Sequence, residues 1–162
     1  MYCLRLLLPL LVFAAFIFFA APASTWASTE RTDQARKFLH DHEAVIRPLE
    51  IAANIAWWDA NTSGKDEDFK KKEEAQNHLD EALADKKMFA QVKELNEHRQ
   101  DIEDSITARA IHVIYLARLE KQVDPALLKK IVAKGNAVEQ AFNVFRAEVN
   151  GKKMTDNEVR EV

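Results

Sequence analysis

The stretch from Thr32 to Ala60, TDQARKFLHDHEAVIRPLEIAANIAWWDA, decides the fold of this chain. Its apolar side chains, together with one histidine, recur in steps of three and four, the spacing that places side chains on one face of an α-helix. They are Phe38, His42, Val45, Ile46, Leu49, Ala52, Ala53, Ala56 and Trp57. Because Pro48 has no backbone donor, we expect a kink or a break there. The stretch therefore predicts an amphipathic helix that is interrupted near its middle.

A second helix is predicted directly downstream. Residues 61–64, Asn-Thr-Ser-Gly, have turn chemistry, and Ser63 with Asp66 three residues later resembles a capping box. The helix that follows has apolar residues at Phe69, Ala75, Leu79, Ala82 and Leu83. The run from Lys70 to Glu74, KKKEE, within this helix is interpreted as a solvated face.

Three aspartates are predicted to begin further helices. Asp85 precedes a short helix with Phe89, Val92 and Leu95 facing inward, and a polar break follows over residues 96–101. Asp104 precedes a fourth helix, and Asp124-Pro125 suits an N-cap followed by the first helical position of a fifth. The inward positions of these last two helices are predicted to be Ile106, Ala110, Val113, Leu116 or Ala117, and Leu119, then Leu128, Ile131, Val138, Phe142, Phe145 and Val149.

The end of the fifth helix is predicted near Asn150, with Gly151 as its terminating residue. Gly135 within that helix marks either close packing or a weak point. No alternating or β-branched run predicts a strand. Thr155 and Glu158 match a capping box, but only about two helical turns fit before the chain ends at Val162. We therefore expect an all-α fold of antiparallel amphipathic helices, and we expect the chain to be the front part of a longer protein.

Composition narrows the function classes. Lys and Arg total 23 against 26 Asp and Glu, a net charge of -3, which argues against a strongly basic nucleic-acid binder. Three glycines and four prolines are too few for an all-β sandwich or a propeller. The single cysteine, Cys3, permits no internal disulfide.

The first 27 residues resemble a secretory signal peptide. Arg5 precedes an apolar run from Leu6 to Ala21, and Thr25-Trp26-Ala27 offers a cleavage position. The run is shorter than the roughly 20 residues that span a bilayer. We expect cleavage after Ala27, an exported periplasmic or extracellular chain over residues 28–162, and no stable membrane span. An uncleaved anchor is the alternative.

Motifs for catalysis and metal binding are missing from the sequence. None of its five histidines begins a His-Glu-x-x-His motif, and none has a Glu three residues before it. The i,i+4 pairs Glu74/His78 and Glu94/His98 are interpreted as surface ion pairs. We therefore predict no catalytic, cofactor-binding or metal-ligating residue in this chain.

Two further features have alternative interpretations. Trp57 and Trp58 point about 100° apart on a helix. Either both are partly buried in a bundle, or one packs inward while the other lies at a partner surface. Asn61-Thr62-Ser63 matches a glycosylation sequon but is also explained as a turn.

Two stretches resemble the angiotensin-converting-enzyme-like zinc peptidases. AANIAWWDANTS at residues 52–63 resembles the first-helix signature of that family, and FNVFRAEVNGKKMTDNEVR at residues 142–160 is similar to a segment upstream of the catalytic region in bacterial members. The resemblance extends over about residues 35–162. It implies an all-helical peptidyl-dipeptidase with a deep cleft, whose N-terminal helices form a lid. Zinc in that family is held by His-Glu-x-x-His and a downstream Glu, and this chain lacks that motif.

Two functions follow. The first is the N-terminal lid portion of an exported zinc peptidyl-dipeptidase, inactive alone, for which zinc and a peptide substrate are implied only in the full-length parent. The second is a self-contained secreted helical binding module. A fragment is expected to leave the face formed by Val138, Phe142, Phe145 and Val149 without partners, so that it associates with itself. A complete module is expected to be a monomer or a defined oligomer.

Overall fold

The structure is a computed structural model, which describes the backbone of residues 23–161 and the side chains of residues 29–161. Most of these residues lie in helices. The helices are α1 (Ala23–Ser63), α2 (Asp66–Leu83), α3 (Lys86–Glu97), α4 (Ser105–Leu119), α5 (Pro125–Val144) and α6 (Asp156–Arg160). A short 3-10 turn spans Arg99–Asp101, and a hairpin joins β1 (Ala147–Val149) to β2 (Lys152–Met154). The all-α prediction is confirmed. The apolar run of the predicted signal peptide lies outside the described residues.

Helix α1 is one continuous helix of 41 residues, about 60 Å long at 1.5 Å per residue. Of the kink or break predicted at Pro48, the break was therefore wrong. Pro48 and Ala44 are both exposed, so the carbonyl group that loses its donor to the proline faces water. Buried Ile46 and Ala53 on either side show that tertiary packing holds the helix through this position.

The N-terminal half of α1 packs against α3 and α4. Arg31 pairs with Glu94 of α3 at 3.0 Å, and the backbone N–H of Glu103 donates to the Thr32 hydroxyl at 2.9 Å. The buried side chains of this cluster are Ala35, Phe38, Val92, Leu95, Ile102 and Ile111. Of the inward positions predicted for α3, Val92 and Leu95 are thus confirmed as buried, and Phe89 is partly buried against the same cluster.

The C-terminal half of α1 packs against α2, and α5 packs on α2. A two-residue connection returns α2 along α1, which makes these helices antiparallel. Lys129 contacts Glu81 at 2.9 Å, and the Gln140 amide donates to Asp66 at 2.6 Å. The contact later in α5 is made to a residue earlier in α2, so these two helices are antiparallel as well.

Helix boundaries follow the predicted aspartate caps but not the predicted serine cap. The carboxylates of Asp85, Asp104 and Asp124 accept from the first-turn backbone at 2.7, 3.1 and 3.0 Å. In contrast, α1 continues through Ser63 and ends at Gly64, where φ is +67°. The N-cap of α2 is Lys65, which makes no side-chain cap. Ser63 is the last residue of α1, so it does not occupy the N-cap position of α2. Its hydroxyl instead donates to the Asp68 carboxylate.

The fifth helix ends six residues earlier than predicted, at Val144, and a hairpin replaces its last turns. Asn150 and Gly151 have φ values of +52° and +78°, the left-handed values that a two-residue hairpin turn requires. Both the predicted end at Asn150 and the absence of strands were therefore wrong. Asn-Gly between short β-capable segments was the available signal. The capping box of Thr155 and Glu158 is confirmed at the start of α6.

The inward face of α4 differs from the prediction. Of the predicted positions, Ala110 and Ala117 are half-buried, whereas Ile106 is 79% exposed and Val113, Leu116 and Leu119 are also exposed. The buried residues are Thr107, Ile111 and Arg118. Thr107 donates to Asp104 at 2.6 Å, and Arg118 bonds to α1 and α2, so polar contacts set the rotation of this helix. The hydrophobic pattern alone therefore selected the wrong side of α4.

Candidate functional site

An exposed apolar surface runs along α5, and we call it the α5 face. Val138 and Phe145 are each 70% exposed and Phe142 is 86% exposed. Leu127 and Ile131 continue the same stripe toward the start of the helix and are about half exposed. Of the inward positions predicted for α5, only Leu128 is buried. A run of exposed large apolar side chains along one helix face is typical of a surface that contacts another molecule.

A cavity of about 750 Å³ lies at the C-terminal end of the α5 face. It lies between the end of α5, the end of α1 and helix α6, because its lining residues come from all three regions. They are Asn61, Ala141, Phe142, Asn143, Phe145, Arg146, Ala147, Asp156 and Val159. Arg146 donates to the carbonyl oxygens of Asn143 and Phe145, at 3.0 and 2.6 Å, and so caps the end of α5. The cavity thus combines two aromatic rings with a polar rim.

Polar side chains join α1, α2 and α5 next to this cavity. Buried Lys72 forms an ion pair with Glu139, and its ammonium group also lies 5.8 Å from the Phe69 ring centroid. The Asn61 amide donates to Glu139 at 3.0 Å, and Asn143 donates to the Asn61 side chain at 2.8 Å. The interpretation of residues 70–74 as a solvated face was wrong at Lys72, because the cation faces α5 rather than water.

Electrostatics in this cluster favour an ionised Glu139. Burial acts to raise the pKa of the Glu139 carboxyl, but hydrogen bonds from Lys72, Asn61 and Trp57 outweigh it and hold the pKa below the ordinary value of 4.5. Next to the cluster, Asn136 donates to the Phe69 carbonyl oxygen at 3.1 Å, while its own buried side-chain oxygen has no hydrogen-bond partner. The cluster therefore holds three helices together mainly through one ion pair and several amides.

The tandem tryptophans lie on the outside of α1. Trp57 is 47% exposed and Trp58 is 66% exposed, so neither packs into the core. Trp58 follows exposed Ile51 and Ile55 at helical spacing, which makes a second apolar stripe. The turn predicted at Asn61-Thr62-Ser63 is instead the last turn of α1, and the Asn61 side-chain nitrogen donates to Trp57 and Glu139. These bonds disfavour glycosylation, since that nitrogen is the atom to be modified.

The histidines do not come together. His40 is exposed, and His112 contacts Asn96 at 2.9 Å. His98 lies 3.6 Å from Asp101 rather than pairing with Glu94, which contacts Arg31. The ion-pair interpretation of Glu94/His98 was therefore wrong. Among the side chains of residues 29–161, no group of three His, Cys, Asp or Glu residues could hold a metal ion.

Comparison with known proteins found no similar protein. No family model, no curated protein and no solved structure matches this chain. Within the described residues, none of the helices has the length and apolar character needed to cross a bilayer.

Proposed function

We propose that this chain is the helical N-terminal portion of an exported zinc peptidase of the peptidyl-dipeptidase type, in which its helices form part of the lid over the substrate cleft. The observation that carries the proposal is the exposure of Val138, Phe142 and Phe145 on the α5 face. In the parent, this face would pack against the catalytic part and remove its aromatic rings from water. The resemblance of residues 52–63 and 142–160 to the family supports the same assignment.

Zinc chemistry is assigned to the parent and not to this chain. The family holds zinc with His-Glu-x-x-His, and the side chains described here do not fit that ion. The chain's own residues would cover the cleft and exclude large folded substrates. We expect the isolated chain to release no dipeptides and to retain no stoichiometric zinc.

The coding DNA downstream provides the most direct test. A continuation that encodes His-Glu-x-x-His in any frame supports the proposal. An intergenic region with its own terminator contradicts it. A metal analysis and a dipeptide-release assay on the purified chain add a second test, because one tightly bound ion per chain with turnover would overturn the assignment.

A self-contained secreted binding module is the second candidate, and a different observation favours it. Helices α1, α3 and α4 share a buried apolar cluster, and the Lys72–Glu139 pair ties α5 to α2. Under this hypothesis the α5 face is the binding surface for a partner or for a second copy of the chain. A cooperative thermal unfolding transition in a monomer or defined oligomer supports the module. Self-association without a defined stoichiometry supports the lid hypothesis, provided that adding the catalytic part of the parent protein prevents it.

A further inference from the structure

A buried guanidinium group joins three helices at the middle of α1. Arg118 of α4 is 1% exposed. Its Nη1 donates to the carbonyl oxygens of Ala82 and Leu83 at 3.2 and 3.1 Å, which are the last carbonyls of α2. Its Nε and Nη2 lie 3.3 and 3.0 Å from Nδ1 of His42 on α1. Arg118 is therefore bonded to two carbonyls and an imidazole, and not to a carboxylate.

This arrangement requires a neutral His42. A guanidinium group only donates hydrogen bonds, so Nδ1 of His42 must accept and the ring proton must lie on Nε2. The imidazole is half-buried and stacks on Phe38, with 6.0 Å between ring centroids. Protonation would replace the acceptor with a second cation about 3 Å from the first. The hydrogen bonds between Arg118 and His42 cannot survive that change.

The carboxylates near the His42–Arg118 contact do not neutralise the second positive charge that protonation of His42 would add. Glu43 on α1 favours a protonated His42, but Glu43 is exposed and already pairs with Arg47. Asp85, at the start of α3, favours the charged form of Arg118 and accepts from the backbone of its own helix. Asp80 of α2 pairs with Lys121, just after α4, at 3.3 Å. None of these carboxylates forms an ion pair with either member of the contact among the described residues.

We propose that the His42–Arg118 contact is an acid-sensitive device, in which protonation of His42 breaks the contact and frees the ends of α2 and α4 from α1. The same three-way junction would stay closed near neutral pH, where Arg118 also caps the C-terminus of α2 and complements its dipole.

The direction and range of the pH effect follow from linkage. Burial first, and then the charge of Arg118, lower the pKa of His42 from 6.5 to about 4. In an opened state the imidazole regains its ordinary pKa. Acid therefore favours the opened state progressively as pH falls from about 6.5 to about 4, and no further below that range. We expect the ratio of opened to closed molecules to rise on the order of 100-fold over this interval.

Hydrogen exchange on the full chain tests the proposal. His42→Gln keeps an acceptor for Arg118 but cannot be protonated, and His40→Gln changes an exposed histidine two residues away on the same helix. We expect backbone amides at residues 82–84 and 116–120 to lose at least tenfold in protection between pH 7 and pH 4.5, after correction for intrinsic exchange, in the wild type and in His40→Gln. His42→Gln should show no such loss, and an equal loss in His42→Gln overturns the proposal.

A titration of the wild-type imidazole decides the question even if His42→Gln fails to fold. We expect the NMR signal of His42 to titrate with a midpoint below about pH 5, together with the backbone amides of residues 82–84. A midpoint at pH 6 or above would overturn the proposal, and so would a His42 transition without any response in the last turn of α2.

Discussion

At the scale of single residues, the described part of the chain contains two buried cations, Lys72 and Arg118, and they are held in different ways. Lys72 meets a carboxylate, that of Glu139, whereas Arg118 meets two carbonyl oxygens and the His42 imidazole. Both cations connect helices that are distant in sequence. Removing the partner of a buried cation leaves that charge uncompensated in the interior, which lowers the stability of the folded chain.

Replacement of Glu139 by Gln should destabilise the chain at pH 7. The substitution leaves Lys72 buried beside a neutral amide, and we expect a loss of roughly 1–3 kcal/mol in the free energy of unfolding. Urea unfolding measures this loss, and Glu74→Gln, at an exposed position of α2, provides the control with little change.

The same pair makes a prediction about pH. Because the folded-state pKa of Glu139 lies below 4.5, its stabilising contribution is complete above about that pH and is lost as pH falls through the folded-state pKa. The difference between wild type and Glu139→Gln should therefore shrink in acid. A difference that stays constant down to pH 3 would contradict this account of Glu139.

At the scale of elements, local caps determine where the helices begin. Asp124 accepts from the Leu127 backbone at 3.0 Å and precedes Pro125 at the first helical position of α5. We expect Asp124→Ala to cost about 1 kcal/mol of stability, because a first-turn donor loses its acceptor. Asp124→Asn, which still caps, should retain most of the stability in the same thermal or urea melt. Equal losses in the two variants would show that the cap is not the cause.

Two glycines should respond to alanine in opposite directions. Gly64 ends α1 with φ of +67°, where an L side chain is strained, so Gly64→Ala should destabilise by roughly 1–2 kcal/mol. Gly135 lies inside α5 with no atom within 4 Å of an added Cβ, so Gly135→Ala should stabilise by about 0.5–1 kcal/mol. Denaturant midpoints measure both changes. This open surrounding also rules out close packing as the reason for Gly135.

At the scale of the whole molecule, α1 is the spine on which two small helical groups pack, and much apolar surface stays outside. Phe69 is almost fully buried between α2 and its neighbours, whereas Phe142 is 86% exposed on the α5 face. Two phenylalanines of the same chain therefore have opposite surroundings, and they allow packing to be separated from association.

Phe142→Ser should leave the free energy of unfolding within about 0.5 kcal/mol of the wild type and should reduce self-association. In contrast, Phe69→Ala should cost about 3–5 kcal/mol. Sedimentation velocity over a concentration series measures the association, and urea unfolding measures the stability. If Phe142→Ser unfolds as readily as Phe69→Ala, the α5 face is not a free surface.

The sequence by itself determined the helical class, the three aspartate caps and the capping box of α6. Each of these depends on residues within a few positions of one another. Local hydrogen bonds and hydrophobic periodicity can therefore be predicted without knowing the rest of the chain. The Asn150-Gly151 hairpin was also local, and its signal was present but outweighed by the apolar spacing that extended α5 too far.

Only the tertiary structure decided which faces turn inward and whether α1 stays whole at Pro48. Arg118 and Lys72 are polar residues that hydropathy places in water, yet their partners, His42 and Glu139, lie 76 and 67 positions away. Such contacts rotate α4 so that Ile106 is exposed, and they bring Asn61 beside α5. The reason is physical: a helix buries the side that its distant neighbours can cover and satisfy, and a single stretch of sequence does not contain those neighbours.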